Sequence, residues 1–127
     1  MSYVRKNLRQ VEDLAAKHGF GEMQEARFAR EALEAEDTGL AYHVVRPGMR
    51  LVPDHRHNQA EEIYVVLSGE GRAKLDDEVI ELGVMDAIRI APPVVRGFEA
   101  GPSGLELLVF GPHRAGDAEP VQDHWAD

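Results

Sequence analysis

Residues 55–69 read HRHNQAEEIYVVLSG, and this stretch decides how the chain is interpreted. The apolar run in its second half predicts a β-strand, and in a strand side chains two residues apart share a face. By the same alternation, His55 and His57 share a face, with Cα atoms about 7 Å apart. Two imidazoles and the carboxylate of Glu62, directed into one space, are ligands that a divalent metal ion prefers. A His-x-His pair alone more often marks two surface histidines. The carboxylate at a fixed offset and the apolar strand behind it favour a metal site.

This spacing resembles the first sequence motif of the cupin superfamily. That motif runs glycine, five residues, His-x-His, three or four residues, glutamate, six residues, glycine. Here it is Gly48, six residues, His55-x-His57, four residues, Glu62, six residues and Gly69. The resemblance implies an all-β fold, the double-stranded β-helix or jelly-roll barrel. It also implies that His55, His57 and Glu62 occupy the places of three metal ligands.

The second cupin motif, whose histidine is the fourth ligand, is degraded in this chain. Arg96 stands where that histidine is expected, and Asp86 is a familiar neighbour that is retained. A guanidinium stays protonated at ordinary pH and is not a metal ligand. Three arrangements stay open: Arg96 binds an anion, pairs with Glu62, or turns to solvent at the barrel mouth. Four more positions depart from the motif, namely Met85, Ala91, Pro93 and Ala100.

Three further residues are candidates for the wall of a substrate pocket. His43 lies in a neighbouring predicted strand and could stand in as a ligand, although a hydrogen-bonded wall residue is the commoner outcome. Tyr64 points with Glu62, and Phe98 lies on the face of Arg96. For both aromatic residues the alternative is plain core filling.

At 127 residues the chain is long enough for one domain with a real core. We divide it into an N-terminal helix and arm (1–36), a barrel (37–111) and an irregular tail (112–127) that Trp125 anchors. Asn7 to Gly19 is predicted to be a short helix, because Asn7 can cap it and Gly19 can end it. Residues 25–33 are predicted as a strand, although their helix propensities leave this region ambiguous. Turns are predicted at 37–39, 69–71 and 76–77. Strands are predicted at 40–45, 62–67, 72–75, 78–82, 86–90, 94–99 and 105–110.

The composition limits the classes of partner. A net charge of −9 argues against nucleic acid or an anionic membrane. Without cysteine there is neither a disulfide framework nor thiolate chemistry. The first residues lack the apolar run of a signal peptide, and no segment approaches a membrane span, so a cytoplasmic location is expected. The strand 63–67 is apolar on both faces and needs a cover, which predicts a homodimer. A monomeric mass by light scattering would contradict it.

Two functions follow from these patterns. The first is a metal-binding cupin barrel that holds a small molecule and works as a metal-dependent enzyme of dioxygenase or isomerase type. Its cofactor would be a divalent zinc, nickel, manganese or iron ion, and its ligand would be anionic if Arg96 faces it. The second is a non-catalytic small-molecule-binding cupin with Arg96 in place of the fourth ligand. The fold by itself does not decide the reaction.

Overall fold

The computed structural model describes residues 2–126, and its N-terminal part differs from the single helix predicted for Asn7 to Gly19. A 3-10 turn spans Leu8–Gln10 and a separate four-residue helix, α1, spans Leu14–Lys17. Between them the chain is extended, and Asp13 makes a β-type bridge to Arg27. The Asp13 carboxylate accepts hydrogen bonds from the backbone N–H groups of Ala15 and Ala26. The predicted helix is therefore interrupted by pairing with the sheet, while Asp13 caps the short helix that remains.

The strand predicted for residues 25–33 exists only in its first part, as β1 (Gln24–Phe28). From Ala29 onward the backbone turns, with a helical hydrogen bond from Leu33 N to Ala29 O. The helix propensities of this segment therefore prevail after Phe28. The turn predicted at 37–39 is also wrong in part, because β2 (Thr38–Val45) already begins there and pairs with β1.

The remaining strands are antiparallel, and two of them are longer than predicted. The strands predicted at 62–67 and 72–75 form one strand, and so do those predicted at 94–99 and 105–110. A bulge replaces the turn predicted at 69–71: Gly69 has a φ of +81°, and a Cβ there would collide with the carbonyl of Gly104. The strands are β3 (Asp54–His57), β4 (Glu62–Leu75), β5 (Glu78–Leu82), β6 (Ala87–Ile90), β7 (Arg96–Pro112) and β8 (Ala118–Val121).

The strands form one curled sheet that confirms the predicted all-β barrel. The hydrogen-bonded order is β1-β2-β7-β3-β8, and β4 joins β7, β5 and β6. Residues 76–77 form the predicted tight turn between β4 and β5. The core lies inside the curl and includes Val45, Val66, Phe98, Leu105 and Leu107, all almost completely buried. The curl of the sheet brings β3 and the start of β4 to the same interior.

The tail is more ordered than predicted, because β8 pairs with β3 along its whole length. Beyond β8, the Trp125 ring packs against the guanidinium groups of Arg50 and Arg72, 4.5 and 5.7 Å from the ring centroid. Such cation–π contacts stabilise the packed end of the tail. Trp125 is therefore the anchor that the sequence predicted.

The outer face of β4 keeps Ile63 and Leu67 about two-fifths exposed, at 39% and 40%. The homodimer stays a prediction, and this face is the one that a second copy would cover. Within residues 2–126, no helix has the length and apolar character that crossing a membrane would need.

Candidate metal centre

The strand β3 presents two histidines to the barrel interior. His55 and His57 lie with ring centroids 5.0 Å apart and ring planes at 79°. Their strand is held on one side by β7, where His55 pairs with Arg96, and on the other by β8, where His57 pairs with Ala118. The alternation of a strand therefore places both rings on one face, as the spacing predicts.

Glu62, the first residue of β4, completes the cluster. Its Oε1 lies 3.4 Å from His55 Nε2 and 3.2 Å from His57 Nε2. Two atoms bound tetrahedrally to one metal ion at about 2.1 Å lie about 3.4 Å apart. The separations in this cluster therefore match those of ligands that share one ion, and its three candidate ligand atoms all lie within 4.8 Å of one another.

The hydrogen bonding of His57 also fits a metal ligand. Its Nδ1 lies 3.1 Å from Asp117 Oδ2, so the N–H is placed on this nitrogen by its acceptor. Its Nε2 is buried and has no hydrogen-bond partner among residues 2–126, since the approach to Glu62 is not aligned as a hydrogen bond. A carboxylate that fixes the tautomer in this way leaves the other ring nitrogen with a free lone pair for a metal.

Asp117 was missed by the sequence reasoning. Its two carboxylate oxygens also accept the backbone N–H groups of Gln59 (2.8 Å) and Ala60 (2.9 Å). Burial opposes ionisation, but these hydrogen bonds and that of His57 outweigh it and lower the pKa of Asp117. Asp117 thus orders the loop between β3 and β4 and orients His57. Nothing local in the sequence around Asp117 indicates this role.

We expect the Asp117→Asn variant to bind zinc about 10- to 100-fold more weakly, the usual effect of losing a partner behind a ligating histidine. The amide no longer offers His57 Nδ1 a charged acceptor, while the side-chain volume is kept. Calorimetric titration with zinc would measure the change. Asp77→Asn, on the exposed turn between β4 and β5, is the matched control. Equal affinities in both variants would contradict the orienting role.

Arg96 adopts the second of the three arrangements left open by the sequence. Its side chain is fully buried, and Nη1 donates to Glu62 Oε1 at 2.8 Å. Nε donates to the carbonyl of Val94, and Nη2 to those of Ala91, Pro92 and Val94. Each guanidinium nitrogen therefore donates to the protein itself. Arg96 fills the fourth ligand's place with an ion pair and does not turn to solvent.

The charge of Glu62 is held by its neighbours. Burial opposes its ionisation, but the close contact with His55, the hydrogen bond from Tyr64 and the charges of the two histidines outweigh it and lower the pKa of Glu62 to about 2. The Tyr64 hydroxyl donates to Oε1 at 2.8 Å, and burial raises the pKa of Tyr64 well above its usual range. The carboxylate therefore stays ionised over the whole physiological range, as a metal ligand must be.

A cavity of about 1840 Å³ opens beside this cluster. His55, His57, Glu62 and Tyr64 line it, and so does His43. The His43 ring meets Phe28 edge-on at 5.6 Å, its Nδ1 is buried without a partner, and burial lowers the pKa of His43 to about 4. His43 is therefore a neutral wall residue whose Nδ1 is buried and finds no hydrogen-bond partner among residues 2–126.

Two residues predicted as substrate contacts, Arg96 and Phe98, are not among the residues that line this cavity. Phe98 is 1% exposed and packs on Tyr64 with ring centroids 4.5 Å apart. Arg96 is also 1% exposed. Their contact with a substrate stays a prediction.

A comparison with family models finds a match to the model described as a cupin domain, over residues 41–110 and so more than half of the chain. A cupin protein from Bacteroides fragilis is similar in structure, with a TM-score of 0.72 and 25% identity over 96% of this chain and 92% of that one. The polyketide cyclase RemF from Streptomyces resistomycificus has a TM-score of 0.74 and 23% identity over 93% and 84% of the two chains. A sugar phosphate isomerase of the cupin superfamily from Silicibacter pomeroyi has a TM-score of 0.71 and 15% identity over 94% and 93%. The last two likenesses show the fold alone. No curated protein matches the chain.

Proposed function

This chain belongs to the cupin-domain family, and on that premise we propose that it binds one divalent metal ion and acts on a small molecule held beside it. His55, His57 and Glu62 would hold the ion. The observation that carries the proposal is the buried Nε2 of His57, which has no hydrogen-bond partner among residues 2–126 and lies 3.2 Å from Glu62 Oε1 while Asp117 holds the other ring nitrogen. A neutral imidazole nitrogen without a partner is costly to bury, and a metal ion would satisfy it.

Three protein ligands suit a catalytic site, because coordination positions stay open for a substrate. When bound, the ion would supply a Lewis acid that polarises a substrate oxygen. Tyr64 holds Glu62 in place by its hydrogen bond. His43 contributes a neutral ring to the wall of the same cavity.

We place the reaction among metal-dependent rearrangements, as the names of two structural relatives, a cyclase and an isomerase, suggest. Two histidines and one carboxylate also form the ligand set of oxygen-activating iron enzymes. Oxygen consumption separates these two reaction types. A redox-active metal with oxygen consumption would support a dioxygenase, whereas turnover without oxygen consumption, and zinc above all, would support the rearrangement.

The test is metal analysis of protein purified without added metal. We expect about one equivalent of zinc, nickel, manganese or iron per chain. The control is the His55→Gln/His57→Gln variant, which should hold none. Wild-type protein that is empty and does not load afterwards would overturn the proposal.

A second candidate function is a non-catalytic small-molecule-binding cupin. The observation that favours it is Arg96, whose buried charge occupies the place of the fourth ligand. A fixed positive charge beside a cation site weakens metal binding by Coulomb repulsion. A metal-free protein that nevertheless binds a small molecule in the cavity would establish this alternative.

A further inference from the structure

The cavity beside the cluster is larger than most small-molecule sites. Its volume of about 1840 Å³ exceeds the 300–1,000 Å³ that is usual for ligand pockets. Much of its wall is apolar, and two aromatic side chains on it stay strongly exposed, Phe28 at 53% and Phe20 at 42%. Other apolar wall residues are Val11, Ala15, Ala26, Ala41, Leu51 and Val109. Exposed aromatic surface on a cavity wall suits a ligand with a large apolar body.

The charges at the cavity run against those of the chain. The whole chain carries 23 acidic and 14 basic residues. Among the cavity's lining residues, Arg5, Lys6 and Arg114 are exposed cations, and none of them forms an ion pair within residues 2–126.

The acidic residues that line the same cavity are already paired. Glu31 pairs with Arg30, and Glu12 pairs with Lys17, at 3.6 and 3.9 Å. Glu62 pairs with Arg96, and Asp117 is satisfied by His57 and two backbone N–H groups. The lining as a whole is thus electrically balanced, with four basic and four acidic residues on a chain of net charge −9. Its acidic residues are engaged by neighbours, and Arg5, Lys6 and Arg114 are the cations that stay available to attract an anion.

We propose that the substrate is an organic carboxylate with a large, flat apolar body. The carboxylate would lie at the mouth, near Arg5, Lys6 and Arg114, and the body would lie along Phe20 and Phe28 toward the histidines. This inference deepens the proposed function, because it assumes that the substrate reacts at the cluster of His55, His57 and Glu62. Its physical support is the apolar volume and the three cations without ion pairs in the described part of the chain, and neither depends on a bound metal.

The experiment measures binding of three probes by calorimetry, with metal-free and zinc-loaded protein. The probes are 9-anthracenecarboxylate, its neutral analogue 9-anthracenecarboxamide, and acetate. We expect the carboxylate to bind at least about tenfold more tightly than the carboxamide and at least about a hundredfold more tightly than acetate. Added salt should weaken only the charged probes, because exposed charges are screened.

Paired variants, one at the cavity and one away from it, test where the probe binds. Arg5→Gln/Arg114→Gln should weaken 9-anthracenecarboxylate about three- to tenfold, as expected for two exposed charges. The control variant Lys74→Gln/Arg89→Gln also removes two positive charges, but from positions that do not line the cavity. It should change the affinity for 9-anthracenecarboxylate less than about twofold. Phe28→Ala should weaken both anthracene probes, and Val79→Ala, on β5, should not.

Equal binding of carboxylate and carboxamide, or equal effects of the two charge variants, would overturn the substrate class. Zinc content of the same samples is recorded separately. Zinc-loaded protein that fails to distinguish the probes would leave the metal function standing and remove this inference. Protein that cannot be loaded with zinc but still distinguishes the probes would overturn the metal function and support the substrate class.

Discussion

The Arg96→His variant should be markedly less stable than wild type without metal, by about 3–5 kcal/mol in unfolding free energy. The Arg96 side chain is fully buried and pairs with Glu62 at 2.8 Å. Its loss leaves a buried carboxylate without its charged partner and removes the donor from three backbone carbonyls. Breaking a buried pair from one side costs more than the pair itself contributes. Chemical denaturation of metal-free protein would measure the loss.

The same variant should bind zinc at least about tenfold more tightly. A positive charge beside the site is replaced by a neutral imidazole, which can serve as a fourth ligand. Binding to the folded state raises its stability, by about 2.7 kcal/mol at a zinc concentration 100 times the dissociation constant. Zinc should therefore restore much of the stability that the substitution removes. Melting curves with and without zinc would show it, at fixed pH because ligating histidines must be neutral.

Arg96→Lys is the control for charge alone. Lysine keeps a positive charge near Glu62 but cannot reproduce the fork of donors to the carbonyls of Ala91, Pro92 and Val94. It should be destabilised without any gain in zinc affinity. If the histidine variant matched wild type in both stability and affinity, the pair between Arg96 and Glu62 would have no energetic role.

The sequence predicts the cluster of His55, His57 and Glu62 well because its signals are local. Strand alternation puts His55 and His57 on one face whatever the rest of the chain does. Glu62 follows after a short loop and begins the apolar strand that must enter the core. The resemblance to the first cupin motif spans the same residues, so the barrel and the three candidate ligands could be predicted together.

What the sequence could not predict depends on contacts between distant residues. The partner of His57 is Asp117, 60 positions away, in a tail that has no alternating apolar pattern. The helix predicted at Asn7 to Gly19 is interrupted because Asp13 bridges to Arg27. The direction of Arg96 is set by Glu62 and by three carbonyls, and none of these contacts has a periodic signature. Tertiary contacts of this kind override local propensity.

Replacing the histidine pair should remove metal binding while the barrel survives. Removing a residue that orients a metal ligand usually lowers metal affinity about 10- to 100-fold, and removing the ligand itself should lower it further. The His57→Gln variant should therefore lose at least about a hundredfold in zinc affinity. His55→Gln/His57→Gln should bind no zinc that calorimetry can detect. Folding should persist, because the side chain of His57 bonds only to Asp117, which keeps its two backbone donors.

His18→Gln is the matched control, since His18 is exposed and lies near the cavity mouth rather than in the cluster. It should load one zinc with wild-type affinity, and circular dichroism should show the same strand content in all variants. If the double variant still bound one equivalent of zinc, the ion would lie elsewhere. The 3.2 and 3.4 Å separations around Glu62 Oε1 would then reflect hydrogen-bonded histidines rather than ligands gathered around one ion.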